Sequence, residues 1–294
     1  MVIAQDVRYY KPETVEEAIG LLGAESGSTI LAGGTDLVAW MRDDVAHPEV
    51  LIDLKGVPGL DTIAWDGDAL HLGALVTFSE LLASREIADN APVFHEMADL
   101  VASVGIRNRA TVAGNICSAV PSCDAGPVLL AYDSNVRVVG PGGERVVPID
   151  EWFVGPRRSA LADGEIVVAM TVRPPRRHGA AFLKLARYEG EDLAQASLAV
   201  SISEAAEYRV AFGAVAPTPR RARRIEAMLQ GKRLSDGLIA EAIAVVADEI
   251  APISDIRAGK VYREHMCRVM LDRGLRAAAA RLDGSGAPYP TRFI

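Results

Sequence analysis

Ile30-Leu31-Ala32-Gly33-Gly34-Thr35-Asp36-Leu37 is the stretch on which the reading of this chain turns. Residues 28–32 read as a short strand. It runs directly into two glycines, then a hydroxyl and a carboxylate, with a helical turn expected over 37–41. Glycine tolerates positive φ and lets a backbone approach a ligand closely. Successive free N–H groups in such a turn form an anion-binding nest, reinforced by a helix N-terminus, and a pyrophosphate would fit there. The same residues also make an ordinary tight turn with Thr35 or Asp36 as helix N-cap. The segment lacks the G-x-G-x-x-G spacing, so a Rossmann site is not supported.

Upstream, Lys11-Pro12-Glu13-Thr14 opens a helix. Thr14 and Glu17 stand at capping-box spacing, and Val15, Ala18, Ile19, Leu21 and Leu22 supply the apolar face. Downstream, 50–54 and 69–75 read as strands, a second capping box stands at Thr77 and Glu80, and 93–104 suits a helix. Residues 105–127 are small, polar and punctuated by Gly and Pro, with little periodicity. A segment that long without regular pattern is more often functional than a plain connector. Within it lies Thr111-Val112-Ala113-Gly114-Asn115, followed by Asp124. Gly114 permits another close approach, Thr111 and Asn115 offer hydrogen bonds to phosphate or sugar-chain oxygens, and Asp124 can accept from hydroxyls. The alternative is a structured loop using Asn and Asp as turn formers.

Further on, 136–139 and 145–149 flank Gly140-Pro141-Gly142-Gly143, a hairpin signal, and 165–172 is strongly β-prone. Pro174-Pro175-Arg176-Arg177-His178-Gly179 breaks the pattern and places a domain boundary near residue 176. Beyond it come three strands, 181–188, 193–202 and 208–215, then two or three helices, the last over about 256–282. Strands first and helices later describe an α+β second domain.

The composition bounds the function. The chain has 294 residues, 50% of them hydrophobic and 24% charged, as expected of a soluble globular protein with one large or two medium domains. The net charge of −8 argues against nucleic acid as a partner, because phosphate neutralisation needs a basic surface. Two local basic clusters, Arg220-Arg221-Ala222-Arg223-Arg224 and the trio Arg173, Arg176 and Arg177, read either as solvated faces or as docking sites for a partner. Cys117, Cys123 and Cys267 can neither complete a disulfide framework nor supply a four-cysteine iron–sulfur cluster, so a reducing cytoplasm is the expected setting. No secretory leader and no transmembrane run is expected. The five histidines are scattered, so no metal site is expected. No Ser-His-Asp or Cys-His constellation has supporting context. That suits a protein whose cofactor carries the chemistry.

An ordered set of motifs runs along nearly the whole chain. It comprises Ala32-Gly33-Gly34-Thr35-Asp36, then Ile106-Arg107-Asn108 through Thr111-Val112-Ala113-Gly114-Asn115-Ile116, then Pro121-Ser122-Cys123-Asp124. Asp163-Gly164-Glu165-Ile166-Val167, Lys184 with Asp192-Leu193-Ala194, and Ala211-Phe212-Gly213-Ala214-Val215-Ala216-Pro217-Thr218-Pro219 follow. The set resembles the flavin subunit, or flavin domain, of the xanthine dehydrogenase family of molybdenum hydroxylases. It is similar also to the medium subunit of carbon monoxide dehydrogenase.

The resemblance implies an α+β fold. A p-cresol methylhydroxylase-type FAD-binding domain would occupy residues 1–176, in two α/β subdomains over roughly 1–55 and 56–176. A smaller C-terminal α+β domain, a three-stranded sheet with helices, would occupy 177–294. It implies FAD on this chain, with the diphosphate held by Ile30, Leu31, Ala32, Gly33, Gly34, Thr35, Asp36 and Leu37 and by Thr111, Val112, Ala113, Gly114 and Asn115. Asp124 would contact the cofactor's polar chain, Val167 would contact it through the backbone, Lys184 through a polar group, and Leu193 would lie near the isoalloxazine ring. Val101 falls where the xanthine enzymes place an aromatic residue beside the cofactor. Covalent flavin attachment is not implied. The four-cysteine loop of the hydroxybenzoyl-CoA reductases is missing.

The resemblance also implies partners: a large subunit with a molybdopterin cofactor, where substrate is hydroxylated, and a small subunit with 2Fe-2S clusters, in a dimer of heterotrimers. No catalytic residue is expected here beyond the flavin, whose external acceptor would be NAD. Purine, carbon monoxide, aldehyde and N-heteroaromatic substrates all stay open, because substrate contacts would lie on another chain. A free-standing FAD oxidase and a flavin-free scaffold are the competing classes.

Overall fold

The computed structural model describes residues 6–188 and 192–294. Its first helix, Val15–Ala24, begins where the Thr14 hydroxyl accepts from the Glu17 N–H. The Glu17 carboxylate reaches the N–H of Glu13 rather than that of Thr14, so this box is stretched by a residue. At Thr77 and Glu80 the box is complete and starts the helix Phe78–Ala83.

Three parallel strands, β1 (Arg8–Tyr10), β2 (Ser28–Leu31) and β3 (Val50–Asp53), pair in the order β1-β3-β2. Parallel neighbours need crossovers. The helices Val15–Ala24 and Leu37–Arg42 supply them. A second, antiparallel sheet contains β4 (Ile63–Trp65), β5 (Leu70–Gly73), β6 (Asn135–Gly140) and β7 (Gly143–Pro148). A small hairpin follows, β8 (Phe153–Gly155) and β9 (Arg158–Ser159). Then β10 (Ile166–Val172) inserts centrally to give β4-β5-β10-β6-β7. Ala18, Val50 and Ile52 of the first sheet layer pack with Ile166 and Val168 of β10, which fixes the two sheets against each other.

Two sequence expectations fail between these strands. The helix expected over 93–104 stops at Asp99 and resumes as Val104–Arg107, because Ala102 takes a φ of +38°. Arg107 Nη1 caps the break by donating to the carbonyls of Val101 and Ala102, both at 2.9 Å. The aperiodic 105–127 segment holds the helix Val112–Ser118 and leads into Ala125–Ala131. Every residue of Ala125–Ala131 is buried. A helix enclosed on all sides has no polar face, so it leaves no 3.6-residue signature.

The C-terminal sheet has four strands where three were expected: β11 (His178–Leu185), β12 (Ala196–Ser203), β13 (Tyr208–Gly213) and β14 (Arg220–Arg221), antiparallel in that order. Successive side chains point to opposite faces. Ala181, Leu183, Leu198, Val200 and Phe212 face the helices of their own half, including Lys260–Leu282, which begins later than the expected 256. Ala180, Phe182, Ala199 and Ala211 join the core of the first half, against Val93–Asp99 and Ala125–Ala131.

Within the basic cluster at 220–224, Arg221 is buried, whereas Arg220, Arg223 and Arg224 stay exposed. Arg221 is only 5% exposed and binds Glu226 and Asp133, Arg223 binds Asp150, and Arg224 binds Asp248. Asp133 and Asp150 precede residue 176, so the cluster ties the two halves together. Among the described residues no helix is long and apolar enough to cross a membrane.

Candidate functional site

Where the two halves meet, a cavity of about 360 Å³ opens. That lies within the roughly 300–1,000 Å³ of small-molecule sites. Its first wall is the turn after β2. Gly34 has a φ of +77°, which favours glycine. Gly33 faces the Arg109 carbonyl so closely that a β-carbon there would lie 1.9 Å from the oxygen. The first glycine segment therefore meets, backbone to backbone, the two residues just ahead of the second. Among the described residues, the N–H groups of Gly33, Gly34, Thr35, Asp36 and Leu37 donate to no protein acceptor. The tight-turn alternative holds in part: Gly34 makes the turn and Asp36 takes the N-cap position, although Asp36 makes no side-chain cap bond there. A brace holds it from behind: Lys55 Nζ donates to the Ala32 carbonyl at 2.8 Å and pairs with Asp53.

The second segment behaves otherwise. Thr111 Oγ1 caps its helix by accepting from the Gly114 N–H at 2.9 Å. Asn115 Oδ1 accepts from the Ala125 N–H at 3.0 Å. Val112 donates its N–H to the Val76 carbonyl, and its side chain lies in the core. Val112 is the one expected site residue outside the cavity wall. Thr111, Ala113, Gly114 and Asn115 all line it, as do Ile30 through Leu37.

Asp124 and Lys184 form the third side. Lys184 Nζ donates to Asp124 Oδ2 at 2.8 Å and to the Leu100 carbonyl at 2.9 Å. Asp124 Oδ1 is buried and has no partner. Burial pushes the Asp124 carboxyl up from the usual carboxylate range, and Lys184 opposes that rise. An unpartnered buried carboxylate oxygen is costly and favours a hydroxyl donor beside it.

Val101 is buried in the wall, held by the Arg107 cap. Val167 sits at an irregularity between Val167 and Ala169 in the β10–β6 pairing, which frees backbone from the ladder. Leu193 is 48% exposed, and its N–H donates to Asp192 Oδ1. Sequence reasoning missed Trp40, Phe78, Ile106, Leu161 and Glu165 as wall residues. Ile106 and Glu165 stood inside the quoted motifs without being singled out, whereas Trp40, Phe78 and Leu161 are ordinary apolar residues locally, so no signal marked them. Cys117 and Cys123 also line the cavity, and burial pushes both thiols up to about 12, which leaves no thiolate for chemistry.

The residues present fit an FAD. Open N–H groups suit its diphosphate, the orphaned Asp124 oxygen suits a hydroxyl of its chain, and Val101, Ile106 and Leu193 suit a flat ring.

Comparison with known proteins agrees. Residues 5–175 match the family of the FAD binding domain in molybdopterin dehydrogenase, and residues 180–278 match the CO dehydrogenase flavoprotein C-terminal domain. The xanthine dehydrogenase FAD-binding subunit of Escherichia coli O157:H7 is 31% identical, covering 94% of this chain and 97% of that protein. The nicotine 6-hydroxylase medium subunit of Paenarthrobacter nicotinovorans is 32% identical, covering 94% and 98%. The solved carbon monoxide dehydrogenase from Hydrogenophaga pseudoflava superposes with a TM-score of 0.92 at 33% identity, covering 96% of this chain and 99% of that one. The chain belongs to the family of FAD-binding medium subunits of the molybdenum hydroxylases.

Proposed function

We propose that this chain is the electron-relaying subunit of a heteromeric molybdenum hydroxylase, with substrate hydroxylated on a separate large molybdopterin subunit. A small subunit with 2Fe-2S clusters would deliver electrons, and NAD would be the external acceptor, in a dimer of heterotrimers. The observation that carries this reading is the open N–H row from Gly33 to Leu37 in one cavity with the orphaned Asp124 oxygen. FAD, when bound, supplies the exchange of single electrons with iron–sulfur centres and of electron pairs with a hydride acceptor.

This chain's own residues bind and orient. Ile30, Leu31, Ala32, Gly33, Gly34, Thr35, Asp36 and Leu37 take the diphosphate. Ala113 and Gly114 close over it, with Thr111 and Asn115 setting their position. Asp124 holds a chain hydroxyl, kept in place by Lys184. Val101, Val167 and Leu193 exclude water from the ring. We assign the cofactor grip to residues 1–176, while 177–294 contribute Lys184 and Leu193 as the closing wall. The setting we propose is cytoplasmic, where the free thiols Cys117, Cys123 and Cys267 stay reduced.

Purification followed by denaturation tests the reading. Flavin absorbance should be released from the wild type and be absent from Gly33→Val. Wild-type protein without flavin, or full flavin occupancy in Gly33→Val, would sink it.

A further inference from the structure

Trp40 stands in the cavity wall on the helix Leu37–Arg42, just after the open loop. Opposite is the exposed tip of the β8–β9 hairpin, remote in sequence. The Arg157 guanidinium lies over the Trp40 ring, 5.1 Å from its centroid. A cation at that range is attracted by the ring's quadrupole.

Arg157 is held in this place. Its N–H donates to the Ala119 carbonyl at 2.8 Å, immediately beyond the helix Val112–Ser118. Its φ is +56°, a conformation that costs a side-chain-bearing residue energy and persists only where neighbours enforce it. Among the described residues its guanidinium has no carboxylate partner. The same hairpin tip therefore reaches the chain just beyond both glycine segments: the backbone of Arg157 bonds Ala119, four residues after Asn115, and its side chain covers Trp40, three residues after Leu37.

The charge around the cavity gives that cation a further effect. Asp36, Asp124, Glu165 and Asp192 line the space, against Lys184 as the lining cation. Lys184, Arg145 and Arg187 are committed to Asp124, Glu165 and Asp192. The Asp36 carboxylate has no cationic partner among the described residues. A diphosphate adds negative charge to a wall that already carries an excess. The Arg157 guanidinium does not itself line the cavity, but, uncommitted and stacked on the lining residue Trp40, it would offset part of that charge.

We propose that Trp40 and Arg157 form a latch across the rim of the cavity, and that its opening sets the rate at which FAD leaves. The latch rests on the FAD reading above. Both residues act by retaining the cofactor and take no part in electron transfer.

The test is the rate of FAD release after dilution of the full-length holoprotein, with whatever subunits co-purify, followed by the rise in flavin fluorescence at low and high salt. Arg157→Met keeps a β-carbon at the same φ and a stem of similar length, so it isolates the charged head. We expect release about two- to five-fold faster for Arg157→Met and for Trp40→Leu. The double variant should be no faster than the singles, since both remove one shared contact. Arg157→Lys should restore part of the retention, and high salt should narrow the gap between wild type and Arg157→Met. Wild-type release rates in both single variants, or effects that multiply in the double variant, overturn the latch alone. Loss of FAD without rescue by Arg157→Lys signals a damaged fold and also counts against it. A wild type that holds no FAD overturns the latch together with the reading beneath it.

Discussion

Between Gly33 and Leu37 the backbone lines the cavity and, among the described residues, its N–H groups have no protein acceptor, whereas around Thr111–Asn115 the cap, the Asn115 carboxamide and the Val112 N–H are committed to protein partners. The two segments look alike in composition: an apolar run, glycine, a hydroxyl residue and a residue that favours turns. They do different work. On the reading proposed above, the first offers hydrogen-bond donors to the diphosphate, while the second is set by its own bonds, and Arg109 and Ala110 just ahead of it abut Gly33. A motif therefore names a backbone conformation, and only its unsatisfied groups say whether it binds anything.

The largest test of this contrast is at the contact itself. Gly33→Ala puts a β-carbon 1.9 Å from the Arg109 carbonyl oxygen, where backbone must move. Loss of all bound flavin is expected, read as absorbance after denaturation. Gly114→Ala meets the Thr111 hydroxyl at 2.8 Å, a side chain that can rotate, so flavin should be weakened and not lost. Equal effects would erase the difference drawn between the segments.

Next is pH. Burial raises the Asp124 carboxyl, and a hydroxyl donor on Oδ1 would favour its charged form. FAD binding should then expel a proton. Affinity should rise with pH through the raised Asp124 pKa, by at most about tenfold per pH unit, and level off above it. By the same sign, Asp124 lowers the stability of the flavin-free chain as pH rises from its unfolded toward its folded pKa. Titrating affinity for wild type and Asp124→Asn decides this, since the variant should show a flat profile over that range.

Smaller effects should fall on stability. Asn115→Ala leaves the Ala125 N–H without its acceptor, at a cost of about 1–3 kcal/mol. Thr111→Ala removes the cap on Gly114, at about 1 kcal/mol. Urea unfolding of flavin-free protein measures both. A Thr111→Ala variant with unchanged stability but poor FAD binding would move Thr111 from the frame to the ligand surface.

Much of the site was legible because its demands are local. A turn needing positive φ at Gly34, a close approach at Gly33 and the hydroxyl caps at Thr14 and Thr77 are set by neighbouring residues, so they are written in short motifs. Strands β2, β3, β6, β7 and β10 likewise followed their apolar runs and hairpin glycines. The helices in 104–131 were not legible, because they are short, rich in small residues and largely enclosed. The ion pairs of the Arg220–Arg224 cluster were not legible for a related reason. Its partners Asp133, Asp150 and Asp248 are distant in sequence, and a local charge run looks the same whether it meets water or carboxylates.

By itself, the sequence determined the conformations that single residues and close neighbours impose: the glycine turns, the first two caps and the longer apolar strands. The tertiary structure alone decided which groups were left over. It turned Val112 into the core, engaged Asn115 with Ala125, left Asp124 Oδ1 alone and laid Arg157 over Trp40. The physical reason is that φ preference is a property of a residue, whereas hydrogen-bond satisfaction and burial are properties of its distant neighbours.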